Sequence, residues 1–178
     1  PFNIVNDSLI PAMTEVGARY EKKEYFLPQL IRSAETMQKA FGRLKPLMEA
    51  ARGPEKRPVV VLATVEGDIH DIGKNIVGLL LGNHGFDVID LGKDAPAAKI
   101  VEAAEKNEAR IIGLSALMTT TMTRMEDTIR LVKERGLGIP VLVGGAAVTR
   151  EFADSIGADA YCEDAVSGVR IAKKFAGI

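Results

Sequence analysis

Two side chains in the segment Gly67-Asp-Ile-His-Asp-Ile-Gly73 could do chemistry together, Asp68 and His70. The carboxylate lies two residues from the imidazole and could accept the proton of one ring nitrogen. That bond would orient the ring and leave the other nitrogen free to bind a metal ion, a common role of histidine. From these residues alone a second interpretation stays open, because an Asp–His pair in a loop can simply cap the following helix.

The rest of the sequence offers few further metal ligands. It contains two histidines and a single cysteine, Cys162. A zinc site takes three or four protein ligands, and a CxxC cluster needs paired cysteines. If His70 holds a metal ion, most of the coordination must therefore come from a non-protein group such as a macrocycle.

Several glycines occur where a ligand could approach the backbone. Gly73, Gly78 and Gly82 fall in the helix predicted after His70, where each glycine costs about 0.5–1 kcal/mol relative to Ala. Gly144-Gly145 follows a later apolar run. Together these residues indicate a narrow slot for a long ligand group, and tight packing of helix on sheet is the alternative explanation.

The elements that must position these residues alternate along the chain from Val59 onward. Five short apolar runs are typical of buried parallel strands, and they occupy residues 59–63, 86–91, 110–115, 139–143 and 158–161. Helices fit after the strands, at 73–84, 96–107, 120–135, 149–156 and 164–176. The pattern predicts an α/β fold with a doubly wound, five-stranded parallel sheet, flavodoxin-like in the order 2-1-3-4-5.

Such sheets bind ligands beyond the carboxyl ends of their strands, at the point where the strand order reverses. There the loop that carries His70 lies opposite the loop after the third strand, which carries Ser115, Thr119 and Thr121. We therefore expect these hydroxyl groups to face the same ligand as His70. Helix capping is the alternative role, since Ser and Thr are favoured at helix starts.

The chain divides into two parts joined by a linker. Residues 1–50 carry apolar residues at helical spacing, and about two helices fit there. Residues 51–58 are polar and contain one glycine and two prolines, which predicts a linker. The α/β domain then occupies residues 59–178.

Composition excludes several classes of partner. A net charge of -1 and an aromatic content of 5% give no basis for binding nucleic acid or an anionic membrane. The sequence has no apolar run of the roughly 18 residues that a membrane span requires. The lone Cys162 cannot form an internal disulfide, which indicates a reducing compartment such as the cytoplasm.

The motif Asp68-x-His70-x-x-Gly73, followed by Ser115-x-Leu117 and Gly144-Gly145, resembles the signature of cobalamin-binding domains that hold the cofactor base-off and His-on. Residues 68–77 are especially similar to methionine synthase. They are also similar to the small corrinoid proteins of methanol, methylamine and aryl-ether methyltransferase systems. The resemblance implies that the cofactor is cobalamin or a related cobamide, with its cobalt bound by His70.

The N-terminal part extends the resemblance. Gly17-Ala-Arg-Tyr20 and Phe26-Leu-Pro-Gln-Leu30 are similar to the helical cap that shields the upper face of the cofactor in methionine synthase-like proteins. Fewer helices fit in residues 1–50 than the family cap contains. We therefore expect a partial cap whose upstream helices are missing from this chain.

The resemblance also implies roles for individual residues. His70 would be the axial cobalt ligand, Asp68 would bond to its far nitrogen, and Thr121 would complete this relay where the family has serine. These three would tune the reactive centre. The residues that would contact the cofactor are His70, Asp68, Gly67, Ile69, Asp71, Gly73, Ser115, Leu117, Thr119, Gly144, Gly145 and Ala165, with Tyr20, Leu27 and Leu30 on the cap.

The implied function is methyl carriage on cobalt. The methyl group would pass between a donor and an acceptor that partner methyltransferases hold, so this chain would be a carrier subunit that is not catalytic alone. Three alternatives remain: a cobalamin-binding sensor, a subunit of an adenosylcobalamin mutase, and a flavodoxin-like receiver without a corrinoid. The cap-like segments argue against the mutase, and no basic or DNA-binding segment supports a sensor.

Overall fold

The N-terminal part is a pair of helices. The structure, a computed structural model, describes residues 4–52 and 57–178. A π-helical turn, Val5–Leu9, leads into α1, Ile10–Glu21, and α2 follows as Leu27–Arg52. Helix α2 continues two residues into the predicted linker of residues 51–58, because Ala and Arg are both good helix formers. Residues 53–56 of that predicted linker lie outside the described residues.

The α/β domain alternates strands and helices. Its strands are β1, Val59–Thr64; β2, Asp87–Asp90; β3, Ile111–Ser115; β4, Val141–Gly144; and β5, Ala160–Cys162. Its helices are α3, Ile72–Asn83; α4, Ala97–Lys106; α5, Thr119–Met122; α6, Arg124–Glu134; α7, Arg150–Ser155; and α8, Ala165–Ala176. All strand pairs are parallel and the sheet order is 2-1-3-4-5, which confirms the predicted fold class and topology.

One predicted helix is wrong in detail. The segment 120–135 forms two helices, α5 and α6, which are separated at Thr123. The hydroxyls of Thr121 and Thr123 point back to the carbonyls of Met118 and Thr120, at 3.1 and 3.5 Å. Threonine hydroxyls compete in this way with regular helical bonds, and β-branched residues are weak helix formers.

The two faces of the sheet bury separate sets of side chains. In β1, Val61 and Ala63 pack with α4 and α6, whereas Val60 and Leu62 face α3 and α8. This alternation follows from the two-residue period of a strand that is covered on both faces. The second face also receives buried residues of the N-terminal helices, namely Met13, Leu30, Ala34 and Met37. The helical pair therefore shares a core with the α/β domain.

The strand order reverses between β1 and β3. Helix α3 returns on one face of the sheet and helix α6 on the other, so the loops after β1 and β3 separate at the carboxyl edge. These are the loops that carry His70 and Thr121. The fold therefore places His70 and Thr121 at the edge where open α/β sheets bind ligands.

A candidate cofactor site at the carboxyl edge of the sheet

The loop after β1 begins with a tight turn. The N–H of Asp68 donates to the carbonyl of Val65 at 3.1 Å, which closes a four-residue turn. Gly67 occupies the third position with φ +81°, a conformation that favours glycine. The turn directs the Asp68 side chain inward, where it is fully buried.

Asp68 and His70 form the pair that the sequence predicts. Asp68 Oδ1 lies 2.9 Å from His70 Nδ1 and accepts the backbone N–H of His70 at 3.0 Å. The His70 side chain is 45% exposed, so its far edge faces out of the loop. The geometry fixes the ring by one nitrogen and leaves the other accessible.

The second carboxylate oxygen of Asp68 reaches the loop after β3. Asp68 Oδ2 accepts the hydroxyl of Thr121 at 2.7 Å and the backbone N–H groups of Leu117 and Met118 at 2.8 and 3.3 Å. The Thr121 methyl group has room beside Gly67, because even a Cβ built on that glycine would lie 3.5 Å from Thr121 Cγ2. Threonine therefore keeps the predicted hydroxyl contact.

These contacts determine the charge on Asp68. Burial alone would raise the pKa of this carboxyl group. Hydrogen bonds from the backbone N–H groups of His70 and Leu117 and from Thr121 outweigh burial and hold the pKa well below its ordinary value. An ionised carboxylate can only accept, so Nδ1 of His70 carries a proton, and in the neutral ring Nε2 then keeps its lone pair. A neutral imidazole with a free Nε2 is the form that binds metal ions.

A cavity lies beside this loop between the sheet and the helices. It measures about 530 Å³, within the usual range of small-molecule sites. The predicted contact residues that line it are Tyr20, Leu27, Leu30, Gly73, Ser115, Gly144, Gly145 and Ala165. The N-terminal helices and the α/β domain therefore enclose one cavity together, and most of its lining is apolar.

The paired glycines let backbone segments approach each other closely at the edge of this cavity. A Cβ on Gly144 would lie 2.8 Å from the carbonyl oxygen of Cys162, and a Cβ on Gly145 would clash with the carbonyl of Ala116. Gly145 also has φ +122°, which side chains rarely adopt. Gly78 has a different role, since a Cβ there would meet Leu62 at 3.2 Å, and tight helix–sheet packing explains this glycine.

The remaining predicted residues lie around the histidine rather than in the cavity. Ile69 and Leu117 are exposed apolar residues in the loops that carry or contact the Asp68–His70 pair, and Ile72, which also lines the cavity, is exposed as well. Asp71 precedes α3 and makes no side-chain cap bond to it. The helix-capping interpretation of the Asp68–His70 pair is not supported either, because the donors to Asp68 lie outside α3. Thr119 is exposed at the start of α5 and does not line the cavity.

Two features of the site had no clear signal in the sequence. The first is the hydrogen bond from the backbone N–H of Met118 to Asp68. The residue types of the sequence do not predict it, because any residue except proline supplies a backbone N–H. Lys74 lines the cavity with its side chain buried, and its ammonium bonds to the Asp90 carboxylate and to Asn75 Oδ1. Its position in helix α3, four residues after His70, is the one hint that the sequence carries.

Comparison with known proteins identifies the family. Models of the B12 binding domain match residues 58–170 and residues 1–45. This chain belongs to the B12-binding family. Dimethylamine corrinoid protein 1 from Methanosarcina acetivorans is 44% identical over 176 residues, which cover 98% of this B12-binding chain and 83% of that protein.

Solved structures agree with this B12-binding assignment. A cobalamin-binding protein from Desulfitobacterium hafniense has a TM-score of 0.81 and 39% identity, over 92% of this chain and 77% of that chain. The methanol:cobalamin methyltransferase complex from Methanosarcina barkeri has a chain with a TM-score of 0.83 and 35% identity, over 99% of this chain and 68% of that chain. The cofactor of this B12-binding protein is therefore a cobamide.

The residues present fit a cobamide. Among the described residues, no group of three or more His, Cys, Asp and Glu side chains is arranged to hold a metal ion. A single oriented imidazole suits a cobalt ion whose equatorial ligands come from the corrin ring. Beside it, this B12-binding protein offers an exposed apolar surface, and a narrow cavity extends between sheet and helices.

Proposed function

We propose that this chain is a corrinoid protein that carries a methyl group on the cobalt of a cobamide bound base-off and His-on. The observation that carries the proposal is the Asp68–His70 pair, because it holds Nδ1 at 2.9 Å and leaves Nε2 available. The cofactor itself supplies the chemistry of taking up and releasing a methyl group at cobalt. The protein's part is to bind the cofactor, orient it and control access to it.

The chain's own residues divide this work between the two faces of the cofactor. His70 would bind the cobalt, while Asp68, to which Thr121 donates, holds the proton of His70 at Nδ1. The cavity lined by Ser115, Gly144 and Gly145 would take the displaced nucleotide tail. Ile69, Ile72 and Leu117, which are exposed in this structure, would then be covered by the corrin ring, a use that accounts for an otherwise unfavourable apolar surface.

The N-terminal helices would act as the cap of the upper face. We assign the cap to residues 1–50, the linker to 51–58 and the cofactor domain to 59–178. Support comes from Tyr20, Leu27 and Leu30, which line the same cavity as the loops of the α/β domain. Such a cap must move aside for each methyl transfer, which makes its opening a gating step.

The partners we propose are a donor-specific and an acceptor-specific methyltransferase. Relatives are named for dimethylamine and trimethylamine, and a related structure is a complex with a methanol methyltransferase. Because these carriers are similar and their named substrates differ, we infer that the partner enzyme selects the donor. None of the helices in the described ranges is long and apolar enough to cross a membrane. We propose a cytoplasmic location, in keeping with the single cysteine.

The axial ligand can be tested by spectroscopy. The apoprotein is labelled with ¹⁵N-histidine, loaded with hydroxocobalamin and reduced to the Co(II) form. The splitting from an axial ¹⁵N in the electron paramagnetic resonance spectrum then identifies a histidine ligand, since the cofactor's own base contributes only ¹⁴N. We expect His70→Ala to lose this splitting. His84→Gln is the matched control, because it removes the other histidine, which lies at the far end of α3. A wild-type spectrum for His70→Ala would mean that another group binds the cobalt.

A second measurement separates methyl carriage from the mutase alternative. The apoprotein is titrated with methylcobalamin and adenosylcobalamin under the same conditions. A carrier with a small capped cavity should bind the methyl form at least as tightly as the bulkier adenosyl form. A clear preference for adenosylcobalamin would contradict methyl carriage and favour the radical enzyme class.

A further inference from the structure

The loop that carries His70 is braced by a second loop, residues 91–96, between β2 and α4. The N–H of Thr64 donates to the carbonyl of Gly92 at 2.9 Å, and the N–H of Ala95 donates to the carbonyl of Thr64 at 3.0 Å. Val65 and Ala95 also form an isolated parallel bridge. These backbone contacts carry the second loop up to the turn that precedes the histidine.

Asp94 contacts that turn at two points. Its Oδ1 accepts the N–H of Gly67 at 2.7 Å, and its own backbone N–H donates to the carbonyl of Asp68 at 2.9 Å. One residue therefore holds the first N–H and the last C=O of the dipeptide Gly67–Asp68. Only the bond from Gly67 depends on a side chain, so a substitution at Asp94 can remove that bond and leave the backbone contact possible.

Both residues of this contact have left-handed backbones. Gly67 has φ +81° and Asp94 has φ +54°. A residue with a side chain persists in that region only where its surroundings hold it, although Asp and Asn tolerate it better than most. The two hydrogen bonds to Gly67 and Asp68 are contacts of this kind. Their consequence is a turn that is fixed from outside as well as by its own Asp68–Val65 bond.

We propose that Asp94 is a positioning residue for the axial histidine, because it fixes the Gly67–Asp68 dipeptide from which the Asp68 carboxylate reaches His70. The inference rests on the proposed function, since the aim of His70 matters only if the ring binds cobalt. Asp68 must meet donors in two loops at once: His70 on one side, and Leu117 and Thr121 on the other. A rotation of its backbone would move the carboxylate away from one side or the other.

Three variants separate the carboxylate from the backbone conformation. Asp94→Asn keeps an acceptor oxygen for Gly67 and tolerates the left-handed region. Asp94→Gly keeps the backbone conformation and its N–H but removes the acceptor. Glu108→Gly is the matched control, because Glu108 is another exposed left-handed residue, with φ +49°, in the loop before β3 at the opposite edge of the sheet.

Each variant is labelled with ¹⁵N-histidine, loaded with hydroxocobalamin and reduced, and the fraction of cobalt with an axial histidine nitrogen is measured together with the cobamide dissociation constant. We expect Asp94→Gly to lower the ligated fraction and to weaken binding about three- to ten-fold, the effect of one lost hydrogen bond. Asp94→Asn and Glu108→Gly should match the wild type. In the apoprotein, amide exchange at Gly67 and Leu117 should become faster in Asp94→Gly only.

The outcomes distinguish this inference from the proposed function. A wild-type protein without an axial nitrogen would overturn His-on binding, and the positioning role with it. If the wild type is ligated and Asp94→Gly keeps the same ligated fraction and amide exchange, the positioning role alone is overturned. If Asp94→Asn fails together with Asp94→Gly, the oxygen acceptor is not the cause, and the inference is again wrong.

Discussion

Replacing Asp68 by asparagine should remove axial ligation while preserving the shape of the site. The carboxylate accepts five donors, from His70 N and Nδ1, Leu117 N, Met118 N and Thr121 Oγ1. An amide has one oxygen, which would turn to the two backbone N–H groups of Leu117 and Met118. Its NH₂ would then face His70 Nδ1, which could accept only as the tautomer with the proton on Nε2. That tautomer has no lone pair for cobalt.

Asp68→Asn should also lower the free energy of unfolding, by an amount that follows from the hydrogen bonds it removes. The backbone N–H of His70 would lose its acceptor and face a second donor in a part-buried place. Losing one hydrogen bond to a charged group and leaving a donor unpaired amounts to about 3 kcal/mol. Urea unfolding of the apoprotein measures this, and the Co(II) resonance spectrum of the loaded protein measures ligation.

Thr121→Val is the control for Asp68→Asn. It removes one donor at 2.7 Å from Asp68 Oδ2, but Leu117 and Met118 still donate to that oxygen and the tautomer of His70 is unchanged. We expect a loss of about 1 kcal/mol and retained ligation. The reasoning is refuted if Asp68→Asn keeps the axial nitrogen and unfolds at the same urea concentration as the wild type.

Four other perturbations test residues in and around the α/β domain's cavity and helix α3. Asp90→Ala should cost about 3 kcal/mol in urea unfolding, because the Lys74 ammonium, whose side chain is 2% exposed, keeps its bond to Asn75 Oδ1 but loses its counter-charge. Lys74→Met should cost about 1 kcal/mol or less, because Asp90 is 39% exposed and stays hydrated. Burial raises the pKa of Cys162 to about 11, so iodoacetamide at pH 8 should alkylate it about 100-fold more slowly than an ordinary thiol. Because Cys162 lines the cavity, bound cobamide should slow the alkylation further. Mass spectrometry measures both rates. Burial, aided by Lys173, lowers the pKa of His84 below its ordinary 6.5. As the pH falls through 6.5, His84 therefore takes up a proton in the unfolded chain before it does so in the folded one. The free energy of unfolding of the wild type should consequently decrease relative to that of His84→Gln between about pH 7.5 and 5.5.

The sheet could be predicted from sequence because its signal is local and repeated. A parallel strand that is covered on both faces is a short apolar run, and each run here is followed by a helix, so the fold class follows from general rules. The strand order was predicted as the commonest one for such a chain, because spacing alone does not determine it. The break at Thr123 could not be predicted in this way. Helical periodicity continues through it, and the interruption depends on where the hydroxyls of Thr121 and Thr123 point.

In the candidate site too, contacts within one loop could be predicted from the sequence, whereas contacts between distant segments could not. Asp68 and His70 lie two residues apart, so their contact is a property of one loop and the motif predicts it. Thr121 is 53 residues from Asp68. The predicted strand order brings it to the same edge of the sheet, but its bond to Asp68 could be predicted only through the resemblance to a family in which that position carries a serine. Asp94 could be predicted neither from a nearby motif nor from the resemblance. It is distant in sequence from Gly67, and aspartate is common in loops. Its contact with the N–H of Gly67 forms only when the β2–α4 loop folds against the turn that contains Gly67. Residues that act through the backbone of a loop leave no pattern of types or spacing, so contacts such as this one must be found in the folded chain.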